Sequence, residues 1–196
     1  MKAPVIYRAR FVYEPTPNFK LLWNALPWEH RDGAPRRECW FNSYGQPYTY
    51  GTGEYARTYV AHDLSPTAEK SGWLVWEVLN RLNGMFDDNF DCCFVNGYEH
   101  GRQHLGWHSD DSPEMDMDHP IAVVSLGAER EIWFRERPNM LSGDGLDDIH
   151  KMPLANGSVL LMKAGMQRDW QHRIPKSPRG EDCPPRLSLT FRRLVR

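Results

Sequence analysis

The 196-residue sequence predicts an α+β protein, mainly β, in which an antiparallel sandwich or barrel packs against helices. Three observations lead there. Helical spacing is confined to the first part of the chain, and short strand-like runs fill the remainder. Fifteen Pro and 15 Gly, spread throughout, cut the sequence into short elements unlike those of a helical bundle. A hydrophobic content of 40%, with 8 Trp, 8 Tyr and 8 Phe, is enough to build a core, and the length suits one domain.

Taken in order, Thr16-Pro17 is an N-cap and first-turn pair, and Phe19, Leu22, Trp23 and Leu26 follow at helical spacing. Ser65-Pro66 repeats the signal. Behind it Trp73, Leu74, Val78, Leu79 and Leu82 mark one face of a second helix that should stop at Gly84. Strands are expected over 91–96, 121–126, 130–137, 158–163 and 186–194, with turns at Asp144-Gly145 and Asn156-Gly157. The last strand alternates, setting Leu187, Leu189 and Phe191 against Ser188, Thr190 and Arg192.

Composition excludes several classes. No run of 18 apolar residues spans a membrane, and residues 1–10 have no apolar signal core, so no membrane partner or export is expected. The cysteines Cys39, Cys92, Cys93 and Cys183 form no C-x-x-C pair, which disfavours a thiolate zinc site and suits a reducing cytoplasm. A net charge of -2 excludes a polycation, although 18 of the 24 basic residues are Arg. Charge is uneven: residues 85–150 hold 15 acids and 4 bases, residues 163–196 hold 9 bases and 3 acids. Within one domain these segments must lie close, which points to a charged site.

Metal-ligand chemistry can be read from the histidines in two ways. His100, His104 and His108, spaced by four, would share one helix face in a zinc hydrolase, but Gly101 and Gly106 interrupt that helix and no glutamate base follows His100. In His108-Ser109-Asp110 the imidazole and carboxylate would project from the same strand face. With His172 they make two histidines and one carboxylate, the set of non-haem iron(II) oxygenases. Arg186 and Arg192, six apart in the last strand, share a face with Ser188 and Thr190. That face is either a polar outer surface or a pocket for a small dianion held by two guanidinium forks.

These motifs resemble the AlkB family of iron(II)/2-oxoglutarate dioxygenases. The likeness runs over about residues 35–196: Pro35-Arg36, the aromatic loop from Tyr44 to Tyr50, Asn96-Gly97-Tyr98, Gly106-Trp107-His108-Ser109-Asp110-Asp111, Ser125-Leu126-Gly127, His172, and the strand from Arg186 to Arg192. The resemblance implies a double-stranded β-helix, or jelly roll, over about 86–196. About 1–85 would supply helices and a nucleotide-recognition lid, the whole of 1–196 forming a single domain. Fe(II) would be held by His108, Asp110 and His172, and 2-oxoglutarate by Asn96, Tyr98, Arg186, Ser188, Thr190 and Arg192, with O2 as oxidant.

For the substrate, the resemblance implies that Tyr50 stacks a flipped base against His108 while Tyr48 reaches a polar edge or phosphate. Arg36, with Arg37 and Arg57, would contact phosphates, and Asp111 and Ser112 stand near the base. The sequence departs from the family at Gly101-Arg102-Gln103-His104 and at Ser112, where some members carry an acid. The expected activity is oxidative dealkylation of bases such as 1-methyladenine and 3-methylcytosine in single- or double-stranded DNA or RNA, by a monomer. The same chemistry on another substrate, a zinc hydrolase and a non-catalytic nucleic-acid-binding module are the alternatives.

Overall fold

Strands that are buried on both faces need a covering layer on each side. Residues 121–126 and 187–191 of this chain, buried throughout, meet that condition. A computed structural model describes residues 2–11, 18–29, 35–51, 53, 56–137 and 148–196. Its elements are β1 (Val5–Arg8), α1 (Phe19–Ala25), β2 (Arg37–Asn42), β3 (Tyr48–Tyr50), β4 (Arg57–Tyr59), β5 (Ala61–Asp63), α2 (Lys70–Phe86), β6 (Cys92–Tyr98), β7 (Leu105–His108), β8 (Ile121–Gly127), β9 (Arg130–Glu136), β10 (His150–Leu154), β11 (Ser158–Met162), α3 (Met166–Asp169), β12 (Trp170–Ile174) and β13 (Arg186–Arg192).

A seven-stranded sheet runs β1-β11-β8-β13-β6-β2-β5, a four-stranded sheet runs β10-β9-β12-β7, and β3 with β4 forms a separate hairpin. Every pairing is antiparallel except β2 with β5. This is the jelly roll that the resemblance implies. On the outer face of the large sheet, Val95, Val124, Leu187, Leu189 and Phe191 pack with Leu22 of α1 and with Leu74, Val75, Val78 and Leu82 of α2. Between the sheets, Val123 and Leu160 meet Ile132, Phe134 and Ile174. Under the hairpin, Trp40, Tyr48, Tyr59 and Phe94 form a third cluster. The turn from β8 to β9 requires Gly127: its φ is +86°, and an added Cβ would lie 2.4 Å from the Pro185 carbonyl oxygen.

Several local expectations change. Thr16-Pro17 and Asp144-Gly145 lie outside the described residues, and the side chain that caps α1 is Asn18, whose Oδ1 accepts the Leu21 N–H. Ser65-Pro66 opens a turn instead of a helix, because the Ser65 hydroxyl bonds Asp63 Oδ2, and α2 starts at Lys70. The helix passes Gly84 and ends where Asp87 adopts φ 50°. There the Asn83 side chain bonds both the N–H and the carbonyl of Phe90. Trp73, placed on the core face by spacing, is 40% exposed. Residues 1–85 do more than flank the jelly roll, for they add β1, β2 and β5 to its large sheet.

Candidate active site

The strand register brings the two histidines together. His172 of β12 pairs directly with His108 at the end of β7, and their rings lie 4.1 Å apart between centroids. Asp110 is not on the strand with His108, as i, i+2 spacing predicts, because β7 stops at His108. It is steered back by Gln167, whose Oε1 accepts the Asp110 N–H at 3.0 Å, and by Arg192, whose Nη2 donates to Asp110 Oδ1 at 2.6 Å. One ligand atom from each of His108, Asp110 and His172 lies within 4.8 Å of the others.

These three residues fit a divalent cation. Asp110 Oδ2 is buried with no hydrogen-bond partner, 3.7 Å from His172 Nε2. His108 Nδ1 lies 2.9 Å from the Gly106 carbonyl, which fixes that nitrogen as the donor and leaves Nε2 a free lone pair. Burial pushes both imidazoles toward the neutral, metal-binding form, and with His108 beside it His172 falls to about 3. Burial alone would raise the Asp110 carboxyl, but the charge and hydrogen bond of Arg192 outweigh it and hold it below the usual carboxylate range. Two imidazoles and one carboxylate on one side of an ion leave other positions open.

A cleft opens over this triad, with Asn96, Tyr98, Ser188, Thr190 and Arg192 along its walls. β13 is therefore not an edge strand with a polar outer surface: it lies between β8 and β6, and its polar face looks inward. Arg186 is fully buried at the end remote from the metal triad, donating from Nε to Ser125 and from Nη2 to Ser188. Its Nη1, and Nε and Nη1 of Arg192, are buried without partners, which fits an anion.

The lid residues are partly rearranged. Tyr50 meets His108 edge-on, 80° between planes at 6.5 Å, rather than in parallel stacking. Tyr48 lines the cleft but is 2% exposed, packed on Trp40 and Phe94 with its hydroxyl 2.9 Å from the Ser112 hydroxyl, and so does not reach outward for a phosphate. Arg36 is no surface contact either: its Nη2 lies 2.5 Å from Glu38 and its Nε donates to Asn96. Arg37 is engaged by Glu99, and Arg57 lies 3.9 Å from Glu38. Asp111 lies outside the cleft lining, paired with Arg137. His100 and His104 sit in a turn and a loop, apart from the metal triad, so no three-histidine helix forms.

Two residues of the site were not singled out from sequence. Glu38 accepts from Tyr59 at 2.5 Å as well as from Arg36, and so ties the hairpin to the large sheet. The alternation of Arg36 and Glu38 beside a tyrosine-rich hairpin is the available signal. Gln167 stands in the segment leading to His172, but nothing local marks it as a partner for Asp110.

Fold and site together are those of an iron- and 2-oxoglutarate-dependent oxygenase, and the family model of the 2OG-Fe(II) oxygenase superfamily matches residues 21–192. The chain belongs to that superfamily, whose chemistry uses Fe(II), 2-oxoglutarate and O2. Its relatives are of AlkB type, as the motifs imply. It is 32% identical over 176 residues to alpha-ketoglutarate-dependent dioxygenase alkB homolog 3 of Mus musculus, covering 87% of this chain and 58% of that protein. It is 30% identical over 159 residues to DNA oxidative demethylase ALKBH2 of Homo sapiens, covering 80% and 59%. The chain thus spans less than two thirds of the length of these curated relatives. The solved structure of OsALKBH1 shares the fold, with a TM-score of 0.58 at 19% identity over 98% of this chain and 99% of that one.

Proposed function

We propose that this chain oxidatively dealkylates N-alkylated nucleobases, such as 1-methyladenine and 3-methylcytosine, in DNA or RNA. The observation that carries the reading is the juxtaposition of a buried His-Asp-His cation site with Tyr50, which faces His108 across the cleft. A base withdrawn from its stack needs an aromatic surface beside the oxidising centre. When bound, iron(II), 2-oxoglutarate and O2 supply that oxidising power, the co-substrate leaving as succinate and carbon dioxide and the N-alkyl carbon as an aldehyde.

The chain's own groups do the holding and orienting. His108, Asp110 and His172 present three donors, the imidazoles already neutral and the carboxylate already ionised. Asn96 and Tyr98 offer neutral hydrogen bonds, while Arg186 and Arg192 offer unpartnered N–H groups to a dianion. The Glu38–Tyr59 and Tyr48–Ser112 contacts hold the hairpin over the opening.

The test is mass spectrometry of methylated single- and double-stranded DNA and RNA after incubation with iron(II), ascorbate and 2-oxoglutarate. Loss of methyl groups with matching succinate is expected, and its loss in His108→Ala and Asp110→Ala. Specific binding of nucleic acid with no demethylation of any of these substrates would overturn the reading.

A further inference from the structure

Two buried arginines lie behind Tyr98, a residue of the cleft wall, at the end of β13 away from the metal triad. β9 pairs Phe134 with His172, so Ile132 and then Arg130 lie progressively further from the metal residues. β13 runs between the same two ends, with Arg192 on Asp110 and Arg186 paired with Tyr98 of β6. Arg130 and Arg186 thus converge on Tyr98, their guanidinium carbons 5.4 and 5.3 Å from its ring centroid. They are 4% and 0% exposed.

This pair differs from Arg36 and Arg192, the arginines that line the cleft itself. Arg36 is neutralised by Glu38 and Arg192 by Asp110, whereas no carboxylate pairs with Arg130 or Arg186 among the described residues. Arg130 donates from Nη2 to the carbonyls of Gln103 and Pro175, and Arg186 bonds only hydroxyls. Burial, and the like charge of Arg130, hold Arg186 down to about 10. Two adjacent buried cations without a counter-ion are costly in a folded protein. A bound anion at this end would relieve both.

We propose that Arg130 is a specificity-determining residue of the co-substrate pocket, supplying with Arg186 a paired positive field that selects a 2-oxo dicarboxylate over a 2-oxo monocarboxylate. This rests on the 2-oxoglutarate reading above. Arg130 acts through the field and through the Tyr98 ring that both guanidiniums face, and its two carbonyl contacts fix it in place.

Binding is measured by calorimetry on the Mn(II)-loaded 196-residue chain, with 2-oxoglutarate and with 2-oxopentanoate, which lacks the far carboxylate. The wild type should strongly prefer the dicarboxylate. Arg130→Gln should weaken 2-oxoglutarate about ten- to a hundredfold while altering 2-oxopentanoate less than about twofold. Arg130→Lys, which keeps the charge but moves it, should show a smaller loss, again confined to the dicarboxylate, and it carries the test if Arg130→Gln does not fold. Equal losses for both acids, or none in either variant, overturn the proposal and leave Arg130 a loop tie. If Arg186→Gln abolishes the preference and neither Arg130 variant alters it, only the role of Arg130 falls. A wild type indifferent between the two acids would overturn the 2-oxoglutarate reading as well.

Discussion

Arg192→Met isolates the charge balance at the centre of the site. Arg192 is 5% exposed and Asp110 3%, and they meet at 2.6 Å. No other cationic side chain pairs with Asp110 among the described residues, since burial keeps both imidazoles neutral. Without metal the variant leaves a buried carboxylate facing two neutral rings. Breaking a buried pair from one side costs about 3–5 kcal/mol. At about 2–4 °C per kcal/mol for a chain of this size, the melting temperature in chelator should fall by about 6–20 °C. Adding Asp110→Leu removes the stranded charge too, so the double variant should return to within about 2 kcal/mol of wild type. Denaturant titration of the four metal-free proteins measures the coupling. A loss below about 1 kcal/mol in Arg192→Met, or costs that simply add in the double variant, would refute the reasoning.

Acid should destabilise the metal-free protein through His172. Its folded value of about 3 lies below the ordinary 6.5, so the unfolded chain takes up the proton first. The stabilisation is complete above pH 6.5 and disappears as pH falls toward 3. About 2 kcal/mol should be gone by pH 5, a slope that denaturant melts should show in wild type and that His172→Asn should flatten. Gln167→Leu strands the buried Asp110 N–H, and should cost about 1–3 kcal/mol and weaken metal binding about 10–100-fold in a fluorescent chelator competition. Tyr59→Phe removes the hydroxyl on Glu38, and should raise KM for methylated oligonucleotide with kcat little changed, because it loosens the hairpin and not the metal site.

Much of the fold was legible because its signals are local. The spacing of Leu74, Val78, Leu79 and Leu82 places α2, and the alternation from Leu187 to Arg192 places β13. Signals failed where a side chain a few residues away offered a competing hydrogen bond. Ser65 bonds Asp63 and not a helix N-terminus, and Asn83 closes α2 by reaching Phe90 across the chain reversal. β10 went unpredicted because Pro153 is a poor strand residue, tolerated since β10 is the edge of its sheet.

The metal set was legible as a combination of residue types, because Gly101, Gly106 and the missing glutamate base disfavoured a helix of His100, His104 and His108, and the family resemblance agreed. The substrate side was less so. Tyr48 and Arg36 have side chains suited to phosphate contacts, but Ser112 and Glu38 engage them inside the protein. Asp111 is turned to Arg137.

By itself the sequence determined the inventory: a His-x-Asp, a distant His172, a strand carrying two arginines on its polar face, and a tyrosine hairpin. Spacing along one strand or helix follows from backbone geometry, so it can be read without knowing the partners. Only the tertiary structure decided which face of β13 looks inward, that β7 ends before Asp110, and which arginines acquire carboxylate partners. Charge pairing depends on distance across the sheets, and sheet register is settled by burying two apolar layers at once.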